Sequence, residues 1–134
     1  NTFADLAKSN LKIAAGDPEA IALGKSAEVM MDKSGYGEEL RKKVTVRGTT
    51  IKQVLLYITN GDVDAAIIGR SDAVANTDKF VILPAPEGTP QEVSVVAALS
   101  TSKNQKLAQE LADYFAKPES IKAFTDLGLL PVSR

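Results

Sequence analysis

The chain has 134 residues with 44% hydrophobic and 25% charged, which is the balance of a globular domain large enough to bury a core without staples. It has no Cys and no His, which removes disulfides, thiolate metal sites, Cys nucleophiles and every triad built on imidazole. A formal net charge of -1 leaves no basic excess for nucleic acid or an acidic membrane surface.

Phe3, Leu6 and Ala7 predict a short opening helix. Residues 11–15, Leu-Lys-Ile-Ala-Ala, read as a buried strand stopped by Gly16. Asp17, Pro18 and Glu19 form a turn into a helix, where the missing N–H of Pro is no loss. Helix formers run from Ala22 to about Ser34, with Ala27, Met30 and Met31 on one face. Residues 34–37 break it, and residues 38–42 are a short polar turn or helix. Residues 44–46 alternate into a strand that Gly48 stops. Ile51, Val54, Leu55 and Ile58 then give the clearest amphipathic stripe of the chain. Thr50 and Gln53 fit a capping box in front of it, and Asn60-Gly61 ends it.

Residues 64–69 read as a buried strand of small residues and residues 71–75 as a short helix. Residues 80–83 and 93–99 read as two further strands, separated by a Pro-rich loop. Ser102 and Gln105 suggest a second capping box, ahead of a helix marked by Leu107, Leu111, Tyr114 and Phe115. Pro118 opens a last helix, with Ile121, Phe124 and Leu127 on its inner face, and residues 129–134 form a tail.

Apolar strands alternating with helices predict an α/β fold of three layers: a mostly parallel sheet with helices on both faces. Residues 1–100 are expected to form a ligand-binding lobe and residues 101–134 a set of C-terminal helices, the two making one compact unit. No apolar run is long enough to span a membrane. No signal peptide opens the chain, and a trimmed secreted domain would look the same.

Ligands of open parallel sheets bind at the carboxyl ends of strands, where helices begin. Three such junctions carry glycine, at residues 16–24, 48–53 and 68–72, so backbone can approach a ligand closely. With Thr50 as N-cap, its hydroxyl takes the Gln53 N–H, and the N–H groups of Ile51 and Lys52 have no partner inside the helix. They lie at the positive end of the helix dipole, where either water or an anion can satisfy them. Gly16 and Gly24 match neither a Walker loop nor GxGxxG, which argues against a nucleotide. Asp17 and Glu19 read as helix-capping acids, and Ser71 or Asp72 as a cap rather than a catalytic pair. Lys33, Lys42, Lys43 and Arg47 read as a solvated basic face. No residue is assigned a catalytic role, and no cofactor is expected.

Taken together, several segments resemble the periplasmic molybdate- and tungstate-binding proteins of ABC transporters, which have the type II periplasmic binding protein fold. Gly16-Asp17-Pro18-Glu19 with Ala22-Leu23-Gly24 resembles their GDP…PAG segment, with Ala22 in place of the Pro. Gly48 to Leu55 resembles the next motif, in which a polar pair and an apolar residue open a helix. Asn60 to Ile68 followed by Ser71-Asp72-Ala73 resembles the stretch G-x-x-D-A-G-I-V-Y-x-S-D-A. Pro86 to Thr89, Val95 to Leu99, Ser102 to Asn104 and Pro118 to Ser120 extend the likeness over nearly the whole chain.

The resemblance implies a tetrahedral oxyanion, molybdate or tungstate, held between two lobes by backbone N–H groups and neutral hydroxyls. It places backbone donors at Leu23 and Ile51, with Gly24, Thr50 and Lys52 beside them. The family's Tyr hydroxyl donor falls on Gly69, and Arg70 follows as a charged replacement. The resemblance also implies an ABC permease as partner and a periplasmic or extracellular location, soluble or lipid-anchored. It implies an N-terminal lobe that this chain lacks, to which the C-terminal helices would return. Apolar surface around Phe115, Ile121 and Phe124 is then expected to pack on another copy as a homodimer. The alternative function is the effector-sensing domain of a transcription regulator, such as the LysR class. An enzyme lobe of the porphobilinogen deaminase type would need a cofactor-carrying Cys, which is absent.

Overall fold

A computed structural model of the chain describes residues 2–132; Ser133 and Arg134 of the expected tail lie outside the described residues. The chain divides into two compact units between Pro90 and Gln91, whereas the sequence reading drew the boundary after residue 100.

The first unit begins with α1 (Phe3–Lys8), capped by Thr2, whose hydroxyl accepts from Asp5 N while the Asp5 side chain accepts from Thr2 N. Then follow β1 (Ile13–Gly16), α2 (Ala22–Lys33), α3 (Gly37–Lys43), β2 (Val44–Gly48), α4 (Ile51–Thr59), β3 (Ala65–Ala66) and α5 (Arg70–Val74). The strands form a parallel sheet in the order β2-β1-β3. Every residue of β1 is buried, as the central strand of a sheet covered on both faces requires.

Two clusters show those faces. Ile13, with Val44, Ala65 and Ile67, packs against α1, α2 and α3 through Phe3, Leu6, Ala7, Met31, Tyr36 and Leu40. Ala14, with Val46, Ala66 and Ile68, packs against α4 through Val54, Tyr57 and Ile58, and Val63 joins this cluster. The unit is therefore the three-layer α/β arrangement expected from its apolar strands. Plain alternation would place Val44 and Val46 on one face. The register shifts between Ile13 and Ala14, so Thr45 is the extra residue and the two valines reach opposite clusters.

The strand expected over 64–69 pairs as a ladder only at Ala65–Ala66. Its extended course continues, because Ile67 N still donates to Ala14 O at 3.0 Å and Ile67 and Ile68 face opposite clusters. The strands expected over 80–83 and 93–99 do not form. Pro84, Pro86 and Pro90 lie between them, each lacking the N–H a ladder needs, and no described strand takes up the remaining groups. Val81 and Val95 stay 75% and 83% exposed.

The second unit carries α6 (Gln105–Phe115) and α7 (Pro118–Asp126). The expected capping box at Ser102 is not made. Asn104 is the N-cap, Ser102 Oγ accepts only from Asn104 N, and Gln105 Nε2 donates to the carbonyls of Leu99, Ser100 and Ser102. Ser120 Oγ donates to Tyr114 O at 2.7 Å, and the rings of Phe115 and Phe124 stand 6.0 Å apart. Phe115 is half-buried, whereas Ile121 and Phe124 are exposed.

Helices α4 and α7 end alike. Gly61 and Gly128 have φ of 78° and 90°, and the N–H groups around them close on the last turn: Asp62 to Tyr57 O and Gly61 to Ile58 O, Leu129 to Phe124 O and Gly128 to Thr125 O.

At other glycines, space rather than φ is limiting. A Cβ on Gly24 would lie 2.4 Å from Asp17 O, and one on Gly16 would lie 2.7 Å from Gly24 N. A Cβ on Gly69 would meet nothing nearer than Asp72 Oδ2 at 3.7 Å, at an ordinary φ of -64°. Gly24→Ala is therefore expected to cost about 2–3 kcal/mol through overpacking. Gly69→Ala should unfold in urea at the wild-type midpoint. Equal midpoints for the two variants would contradict the packing argument.

Candidate functional site

All three strands run in one direction, so Gly16, Gly48 and the residues after Ala66 end at one edge of the sheet. Helices α2, α4 and α5 follow those strand ends and begin at that edge. The β1 and β2 ends are tied by Asp17 N donating to Gly48 O at 2.9 Å. Asp17 also forms the turn into α2: its Oδ1 accepts from Glu19 N, and its carbonyl accepts from Ala20 and Ile21 N. Asp17 is thus occupied with the turn, as the capping reading expected.

Helix α2 has Ile21 at its N-cap and no side-chain cap. Gly24 N turns back onto Ile21 O at 3.0 Å, so that predicted site residue spends its N–H inside the turn. The N–H groups of Ala22 and Leu23 have no acceptor among the described residues. They open a helix whose first turn carries no acid.

Helix α4 is capped by Thr50, whose hydroxyl accepts from Gln53 N at 3.2 Å. The reciprocal half of the expected box is displaced by one residue. Gln53 Oε1 accepts from Thr49 N at 2.8 Å and from Thr49 Oγ1 at 3.0 Å. Ile51 and Lys52 N–H therefore have no acceptor among the described residues, as the capping argument requires. Ile51 is 48% exposed, and the Lys52 side chain forms no ion pair among the described residues. Gly48 sits under this start, where a Cβ would lie 2.7 Å from Val54 Cγ2.

At the third junction the cap is Gly69, not Ser71 or Asp72. Asp72 lies in the first turn, where a carboxylate complements the dipole. Arg70 is the first helical residue. It is exposed, and its side chain forms no hydrogen bond or ion pair among the described residues.

The structure thus brings Leu23, Gly24, Thr50, Ile51 and Lys52 to one edge of adjacent strands, with Gly69 and Arg70 at the end of the strand on the other side of β1. These are neutral backbone donors at helix starts, with exposed cations that form no ion pair among the described residues at Lys25, Lys52 and Arg70. They suit a small anion. A surface concavity elsewhere, lined by Asp32, Gly35, Gly37, Glu38, Glu39 and Arg41, has three carboxylates and the wrong sign for one.

Sequence reasoning missed an ion-pair network behind the α2 start. Arg47, read as part of a solvated face, donates from Nη2 to Glu28 Oε1 at 2.7 Å and from Nη1 to Gly16 O at 3.1 Å. Glu28 Oε2 accepts from Arg41 Nε at 2.6 Å, and Arg41 also bonds Asp32. Lys43, from the same supposed face, donates to Ser9 O. Arg47 and Glu28 are 19 residues apart, beyond any helical or turn periodicity, so no local signal marks the pair.

Comparison with known proteins bears on this arrangement. The family model described as bacterial extracellular solute-binding protein matches residues 1–130. The chain belongs to that family. A Haemophilus influenzae protein, whose name gives binding and no ligand, is 48% identical over 98% of this chain and 54% of its own length. The molybdate-binding protein ModA of Escherichia coli is 25% identical over 87% of this chain and 45% of its own. A solved Clostridium difficile substrate-binding domain, assigned to a molybdenum ABC transporter, superposes with a TM-score of 0.79 at 26% identity, over 99% of this chain and 58% of that one. The chain therefore spans about half the length of these relatives. Its fold is that of one lobe of a type II periplasmic binding protein, and its family is one of binding proteins rather than enzymes.

The partly buried network of this solute-binding lobe generates an expectation about acid. Burial alone would push the Glu28 carboxyl up, but hydrogen bonds from Arg41 and Arg47, with their charges, outweigh burial and hold it below the ordinary carboxylate value. A carboxyl lowered in the folded state adds stability above its unfolded pKa and loses it as pH falls through the folded value. Glu28→Gln is expected to lower the melting temperature at pH 7, and the gap from wild type should close as pH falls below the carboxylate range. A gap independent of pH would show that the Glu28 charge contributes nothing.

Proposed function

We propose that this chain is a ligand-holding lobe of a solute-binding protein that delivers a tetrahedral oxyanion, molybdate or tungstate, to an ABC permease outside the cytoplasmic membrane. The observation that carries the reading is the pair of helix starts on adjacent strands, at Leu23 and Ile51, whose outward N–H groups have no acceptor among the described residues. Two such starts offer a cluster of fixed N–H dipoles that donate and do not accept, which favours an anion that needs no proton of its own. The names of the relatives point the same way, one to molybdate and one to a molybdenum transporter.

In this reading Leu23 and Ile51 donate from backbone, with the Lys52 N–H beside them. Thr50 keeps its hydroxyl oxygen on Gln53, and its hydroxyl proton remains available to the ligand. Gly24 contributes by letting α2 approach Asp17 rather than by donating. Gly69 leaves open the place where the resembling family carries a Tyr hydroxyl, and Arg70 is the cation that takes its role. The site works by binding alone, without a cofactor.

The test is calorimetry on the full-length protein with molybdate, tungstate, sulfate and phosphate. Tight binding of the first two is expected, and no heat from any of the four would end the proposal. Ile51→Pro removes a single N–H at a position where proline fits the helix, and Thr50 before it is already extended at φ -135° and ψ 154°. Loss of one hydrogen bond to a charged ligand should weaken binding about tenfold to a hundredfold while the melting temperature holds.

A further inference from the structure

The bonds between β1 and β3 stop one step short of the candidate site. Ala65 N donates to Lys12 O at 3.1 Å and Ile67 N to Ala14 O at 3.0 Å. The next step of that parallel ladder would bring Gly69 N to Gly16 O. It is not made, because Gly69 has turned away to cap α5. Gly16 is buried, so its carbonyl needs another donor. Arg47 supplies it from β2 at 3.1 Å, and its other terminal nitrogen lies 2.7 Å from Glu28 on α2.

The peptide unit between Gly16 and Asp17 is thereby fastened at both of its polar atoms. Its carbonyl accepts from the Arg47 side chain and its N–H donates to Gly48 O at 2.9 Å. The start of α2 packs on both sides of this unit: a Cβ on Gly16 would meet Gly24 N at 2.7 Å, and one on Gly24 would meet the next peptide, at Asp17 O and Pro18 N. Glu28 meanwhile takes up the guanidinium charge, and Arg41 occupies its second oxygen.

We propose that Arg47 is a positioning residue for the ligand. By bridging the Gly16 carbonyl and the Glu28 carboxylate it fixes the β1–α2 junction, and with it the outward N–H groups of α2, without lending its charge to the anion. This rests on the oxyanion reading of that junction. A lysine cannot replace it, because one ammonium on a flexible stem does not present two donors in a fixed fork.

The experiment uses full-length protein carrying Arg47→Met or Arg47→Lys, with molybdate as the probe. Both variants are expected to bind about tenfold more weakly, consistent with loss of a charge-assisted hydrogen bond behind the donors. Amide hydrogen exchange without ligand should rise at residues 17–24 in both and stay at the wild-type level over α4. Wild-type affinity in Arg47→Met, or full recovery in Arg47→Lys, overturns the proposal whatever the exchange shows. If the wild type itself binds none of molybdate, tungstate, sulfate and phosphate, the oxyanion reading falls and exchange alone decides on the clamp. Faster exchange confined to residues 17–24 supports it, and unchanged exchange overturns it.

Discussion

Helix α2 begins so close to the end of β1 that no side chain fits between them. A single methyl on Gly24 would sit inside the Asp17 carbonyl, and one on Gly16 would strike the Gly24 amide. This contact fixes where α2 starts relative to the sheet, and so where its first N–H groups lie. The same solution recurs one strand over, where Gly48 admits Val54 at the start of α4. Helix starts pressed this tightly onto strand ends put dipoles, rather than side chains, at the rim of the sheet. The choice of caps follows. Ile21 offers α2 no side-chain acceptor, and Thr50 satisfies only the third N–H of α4. A Ser or Asp at position 21 would compete with any ligand for those donors.

The charges behind this rim are arranged to stay out of its way. Arg41 and Arg47 face Glu28 and Asp32, two cations against two anions, at the junction of α2, α3 and β2. Surface pairs of this kind add little to stability. These are partly buried, and Arg47 also satisfies a backbone carbonyl that the sheet has abandoned. The network is better understood as geometry than as binding energy. It holds one peptide unit in place and pairs the charges of Arg41 and Arg47 with carboxylates. Backbone donors fixed at helix starts discriminate between ligands by shape and desolvation more than a mobile charge does.

What the sequence disclosed was set by range. The α4 stripe, the Thr50 cap and the Pro118 start are signals within a turn of helix, and each appears where the pattern put it. The Thr2–Asp5 box lies within the same range and could have been read. The extra residue at Thr45 could not, because a bulge depends on what the neighbouring strand presents. Arg47 was beyond reach for the same reason: its partners lie 19 and 31 residues away, and only the parallel register of β1 and β2 brings them together. At the Ser102 box the local pattern was present, but Gln105 found backbone carbonyls upstream and Asn104 became the N-cap instead. The two proposed backbone donors were legible from helix physics and resemblance together. Gly24 was named for its place in the motif, and only the packing shows that its part is steric.

Each expected helix is present, yet two of five expected strands are not, and the difference is physical. A helix closes its hydrogen bonds within its own segment, so an apolar stripe plus one packing surface is enough to specify it. A strand takes its hydrogen bonds from a neighbour, and β propensity measures fit to a half-buried pleated surface rather than a preference of the isolated chain. Residues 11–15, 44–46 and 64–68 have such neighbours in one another. Residues 80–83 and 93–99 carry the same composition but meet no described strand, and Val93, Val95 and Val96 remain 58%, 83% and 53% exposed. The three-stranded sheet supplies them no backbone partner among the described residues, which is why a similar sequence signal produced strands before residue 70 and none over residues 80–99.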